Sequence, residues 1–171
     1  MTIEQLANAE MELHSTVLDI YSAKQSEELN ERLKTVFALY RQVHISYALL
    51  AKEQDEALKR GLFIQWYSMT EPSYISGIDQ LDEEAEHNII DALEEKIQNN
   101  TLDSELNWML NYYANWDFVF ERFNNRKGLV EFISHKTDRL PPGLEIDKAD
   151  MKKRGQMGDY WNSLDHFRTQ I

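Results

Sequence analysis

Residues 29–50 read LNERLKTVFALYRQVHISYALL, and residues 102–123 read LDSELNWMLNYYANWDFVFERF. In the first stretch Leu29, Leu33, Val36, Tyr40, Val43, Tyr47 and Leu50 recur at steps of four and three. In the second, Leu102, Leu106, Met109, Tyr113, Trp116, Phe120 and Phe123 do the same. That spacing gathers the named side chains on one face of an α-helix and would scatter them over both faces of a strand. The fold class follows: all-α, with helices packed against one another.

Working outward, a first helix is expected from about Thr2 to Lys24, with Leu6, Leu13, Val17 and Ile20 inward. Ser26 before Glu27 and Glu28 has the form of an N-cap with acids in the first turn, and the second helix then runs to about Lys52. Asp55 is expected to cap a third helix, which ends before Pro72 because the residue preceding a proline disfavours helical angles. Leu58, Leu62, Trp66 and Met69 occupy one side of it and Phe63, Ile64 and Tyr67 others, the pattern of a helix buried on several sides. A fourth helix covers about Asp82 to Asn99, a fifth runs from a cap at Asp103 or Ser104 to about Phe123, and a short one covers Gly128 to Ser134. Short connections favour an antiparallel bundle of five to six helices.

The bundle is expected over residues 1–134, followed by an irregular tail over residues 135–171. In the tail, Leu140-Pro-Pro-Gly-Leu144 must be extended or turned. A short amphipathic helix at about 159–168 then puts Tyr160, Trp161, Leu164 and Phe167 on one face. Such a face docks on something: the protein's own body, a partner, or a second copy in a homodimer.

The chain is cysteine-free, which excludes disulfides, thiolate metal sites and a cysteine nucleophile. With no secretory signal and no apolar run of ~20 residues, a cytoplasmic protein with no membrane span is expected. The net charge of −12 is uneven: 9 basic and 23 acidic residues up to Asn125, against 9 basic and 7 acidic from Arg126 onward. An acidic body repels phosphate backbones, so nucleic acid is not an expected partner; the charge suits either solubility alone or attraction of a basic protein surface.

Chemistry-bearing constellations are sparse. Glu84, His87 and Asp91 are the metal candidates, being spaced to share a cation on one helix. Helical projection puts them opposite the apolar face of Ala85, Ile89 and Leu93, which favours a solvated charged face. No cofactor is expected: there is no glycine-rich phosphate loop and no G-x-S-x-G elbow. Two polar residues interrupt apolar arcs, His44 between Leu33 and Phe37 and Asp117 between Leu106 and Leu110. Both are expected to be buried, either as a bridge fixing helix register or as an acid–base pair in a pocket.

Two functional readings result. The preferred one is a non-enzymatic interaction module, an inhibitor or immunity-type protein for a basic partner. Its expected binding residues are Tyr74, Ile75 and Ile78 in the loop after the third helix, Trp108 and Tyr112 on the fifth, and Trp161, Leu164 and Phe167 in the tail. The alternative is a small helical enzyme or ligand binder whose pocket lies beside the third and fifth helices and uses His44 and Asp117.

Overall fold

Residues 57–66, ten in succession on one helix, are all buried, and the rest of the molecule is arranged around them. In the computed structural model, which describes residues 1–24, 26–136 and 147–164, this central helix is α3 (Asp55–Thr70). It follows a hairpin of α1 (Ile3–Ser22) and α2 (Glu27–Leu50), and precedes a single turn α4 (Ser73–Ser76) and α5 (Glu83–Gln98). Then come α6 (Ser104–Tyr113), two 3-10 turns (Asp117–Val119 and Glu121–Phe123), α7 (Lys127–Ser134), the single turn α8 (Lys148–Met151) and α9 (Gly155–Leu164). The fold is an all-helical bundle with no strand among the described residues. None of its helices is long and apolar enough to cross a membrane among the described residues.

Local chemistry sets the helix starts. Thr2 and Gln5 form a reciprocal capping box on α1, and Ser26, Asp82 and Asp103 each accept a backbone N–H at the start of α2, α5 and α6. Asp55 departs from expectation. The N-cap of α3 is Gln54, without a side-chain bond, and Asp55 is the first helical residue, paired with Lys96 of α5 at 2.6 Å.

The main core joins the faces of α2, α3, α5 and α6 with Met151, Met157 and Trp161 from α8 and α9. Gly61 lets α3 approach α5: a Cβ there would lie 2.3 Å from Cδ1 of Ile89. A second, smaller cluster stands apart from this core. Val17, Ile20 and Val36 are buried in it between α1 and α2, with Leu29, Leu33 and Phe37 packed around them.

The fifth expected helix is shorter than its apolar seam. It stops at Tyr113, and residues 117–123 continue as 3-10 turns that keep Val119, Phe120 and Phe123 buried. A helix unbroken to Phe123 would carry Asp117 into the apolar arc, where an ionised carboxylate without a partner is costly. The break turns Asp117 outward. Lys136 then bonds both its carboxylate and the Ala114 carbonyl left open at the helix end, each at 2.6 Å.

Candidate interaction surface

The buried polar pair expected from the seams is not formed. His44 is fully buried, as its position between Leu33 and Phe37 implied, and neither ring nitrogen has a hydrogen-bond partner among the described residues. Burial pushes its pKa down to about 4, with Asp82 and Arg122 the charges that act on it. Asp117 is the correction: its side chain is 78% exposed and pairs with Lys136. One group is sealed in the core and the other is in solvent, so no acid–base dyad links them. The space beside α3 and α6, where a pocket was expected, is filled with rings. Trp66 stacks on Tyr113 at 4.8 Å, Tyr160 meets Trp66 at 5.1 Å, and Trp161 lies 4.2 Å from Trp108.

The metal candidates are also dispersed. Asp91 pairs with Arg126 at 2.6 Å, His87 lies edge-on to Phe123, and Glu84 is exposed. Among the described residues, no three His, Asp or Glu side chains are placed to hold an ion.

Of the expected binding residues, Tyr74 and Ile75 are exposed, whereas Ile78, Trp108 and Trp161 are buried. Trp108 and Trp161 cover each other, and Ile78 is drawn under Ser76, whose hydroxyl accepts its N–H. Tyr112 and Leu164 are half-buried, Tyr112 hydrogen-bonding Tyr160 hydroxyl to hydroxyl at 2.6 Å. Phe167 and the Pro-Pro segment lie outside the described residues.

The structure adds neighbours to Tyr74 and Ile75 that the sequence did not suggest. Nε2 of His14 on α1 hydrogen-bonds the carbonyl of Ile75 at 2.8 Å, which holds α4 against α1. Tyr74 then meets Tyr21 edge to face at 6.0 Å. His14, Leu18 and Tyr21 follow one another at i, i+4 and i+7, and thus share a side of α1. Leu18, Tyr21, Tyr74 and Ile75 are 44%, 38%, 54% and 39% exposed. They form an open apolar and aromatic patch shared by α1 and α4. The helical spacing of 14, 18 and 21 was available in the sequence, but nothing there placed α4 beside it.

Beneath this surface lies a charged interior that the sequence reading missed. Glu10 of α1 is buried, and its carboxylate accepts the Gln156 N–H at 2.5 Å and the Tyr47 hydroxyl at 3.0 Å. Burial raises its pKa to about 7 against the lowering effect of these bonds and of Arg60. Gln156 in turn accepts from the Tyr40 hydroxyl and donates to the Ser76 carbonyl at 2.6 Å. Nearby, Arg154 clamps Glu56 and Glu105 with two bonds each, and Lys59 joins Glu105 and Asp103. Burial would raise the Glu105 pKa, but Arg154 and Lys59 overcome it and hold it at about 2. These charges tie α9 to α1, α3 and α6, and each acid among them has a cationic or hydrogen-bonding partner. Comparison with known proteins found no matching family model, no matching curated protein and no matching solved structure.

Proposed function

We propose that this chain is a non-enzymatic interaction module that binds another, basic protein, with the patch of Leu18, Tyr21, Tyr74 and Ile75 as an apolar anchor. The observation that carries the reading is the Tyr21–Tyr74 pair. Both rings are more than a third exposed and are held in contact by elements that the His14–Ile75 bond fixes. Exposed aromatics set in a rigid frame are the usual energetic centre of protein interfaces, because little side-chain entropy is lost on contact. The net charge of −12 supports a basic partner, and an inhibitor or immunity-type role against a basic toxin or nuclease is the form of the reading that this charge favours. A cytoplasmic setting belongs to the same proposal, since a cysteine-free chain suits a reducing compartment.

The test is capture of partners from the cells that make the protein, using the wild type, Tyr74→Glu and Phe118→Glu as baits. Phe118 is an exposed ring elsewhere on the surface. A basic protein retained by the wild type and the Phe118 variant but lost with the Tyr74 variant supports the reading. Equal capture by all three removes the patch from it.

A further inference from the structure

The flank of α1 facing away from α4 carries a second feature. Between α1 and α2 runs a groove of about 360 Å³. Ala9, Leu13 and Val43 line its floor and the half-exposed Leu39 its wall. Met1 with its amino group stands at one end, Thr16, Gln42 and Ser46 are the neutral polar lining, and Glu12 is the only charged side chain among the described residues that line the groove. Asp19 follows Glu12 at i+7 and so continues the same acidic rim along α1. That helix has no Lys or Arg over its whole length. On α2, Leu49 extends the apolar edge beyond Leu39 and is 74% exposed.

We propose that this groove docks a cationic amphipathic helix of the partner protein. Its apolar ridge would sit between Leu13 and Leu39, and its Lys or Arg side chains over Glu12 and Asp19. The inference rests on the reading that the chain binds a basic protein, and it adds the secondary structure and charge pattern of the segment recognised. The furrow between two antiparallel helices is shaped for the side-chain ridge of a third. Met1 to Thr16 on the α1 side spans ~22 Å, the length of about four helical turns, so a segment of about 15 residues fits. Charge selects among occupants. An anionic helix would set like charges against Glu12 and Asp19, and so would α1 of a second copy packed in register.

The experiment uses the full chain and a fluorescein-labelled peptide of about 16 residues, with Leu on a single helical seam and Lys elsewhere, read by fluorescence anisotropy at about 50 and 200 mM salt. Two comparison peptides keep the length: one scrambles the Leu positions, and one replaces Lys by Glu. The seam peptide is expected to bind at least about tenfold more tightly than either, and more weakly at the higher salt. Leu39→Ser and Gln42→Trp, both at exposed positions and both checked by thermal melting, should each weaken it about tenfold. The Glu12→Lys, Asp19→Lys double variant should transfer the preference to the Glu peptide, and Tyr74→Glu should leave binding unchanged.

Equal binding of the scrambled peptide, or indifference to both groove variants, overturns the groove assignment. Loss of peptide binding with Tyr74→Glu alone also overturns it, because the site is then the patch. A dimer by light scattering that dissociates with Leu39→Ser and excludes the peptide assigns the groove to a second copy and overturns it as well. The capture experiment with Tyr74→Glu stands apart from all of these, so failure here and failure of the interaction reading are distinguishable.

Discussion

The backbone N–H of Gln156 donates to the buried carboxylate of Glu10 at 2.5 Å, joining α9 to α1. A carboxyl sealed on all sides in this way has a stability consequence, and its sign is opposite to that of a second buried titratable group, His44.

The Glu10 pKa is raised from 4.5 to about 7, so its contribution is fully present at low pH and is lost as pH rises through that interval. The His44 pKa is lowered from 6.5 to about 4, so its contribution is present above 6.5 and lost as pH falls toward 4. Each is on the order of 3 kcal/mol over its full span, and between about pH 4.5 and 6.5 the two slopes offset each other. Urea unfolding from pH 4 to 8 should therefore show Glu10→Gln gaining stability with rising pH, and His44→Leu losing it. Parallel profiles for the two variants would show that these groups do not titrate as described.

Arg154 is buried, and it neutralises two acids that are each about a quarter exposed. Arg154→Met removes the shared cation and leaves Glu56 with Arg60 and Glu105 with Lys59. A loss of about 3 kcal/mol is expected, at the low end for breaking a buried pair because those partners remain. Arg154→Lys should recover less than half of it, since an ammonium cannot bond both carboxylates in pairs. Denaturant midpoints for the two variants check this.

Gly155 has φ +63, and a Cβ there would lie 2.6 Å from Oε1 of Glu10. Gly155→Ala combines a left-handed backbone with a clash, so a loss of about 2 kcal/mol or more is expected. In the Glu10→Ala background the clash is gone and only the backbone cost remains. A double-mutant cycle should return a coupling of about 1 kcal/mol, and additivity would place the strain elsewhere.

Asp117→Ala should change stability by no more than about 0.5 kcal/mol, because the pair it forms with Lys136 is solvent-facing. A thermal melt decides between this and the larger loss that burial in a continuous helix would have implied.

The helices were legible because their signals are local: seams at steps of four and three, and caps at Ser26, Asp82 and Asp103. His44 was legible for the same reason, as one polar residue inside an apolar arc. Glu10 sits in the corresponding place on α1, between Leu6 and Leu13 on the inward face, and the same projection would have found it. Asp117 was misplaced because the seam was carried through Asn115, and the periodicity of side chains does not reveal where a backbone breaks. Arg60 stands at i+4 from Glu56, a local spacing, but Lys59 and Arg154 could not be paired from sequence. Arg154 lies 98 residues from Glu56 and 49 from Glu105, and no local pattern spans such distances. The surface patch was half legible: Tyr74 and Ile75 stood out in a polar loop, while Tyr21 joins them only through tertiary packing.

The bond between Glu10 and Gln156 also sets an order of assembly. It spans 146 residues, and a ribosome adding about 5–20 residues per second takes roughly 7 to 30 s to cover that distance. For that interval α1 is already made while the donor that holds its inward carboxylate does not yet exist. The α1–α2 hairpin can meanwhile close on its own small cluster of Val17, Ile20 and Val36, which needs nothing synthesised later. Until α9 arrives, Glu10 has the Tyr47 hydroxyl of α2 but not the Gln156 N–H. Closure of the Glu10 site therefore waits on the synthesis of α9, whatever the helical propensity of α1 itself.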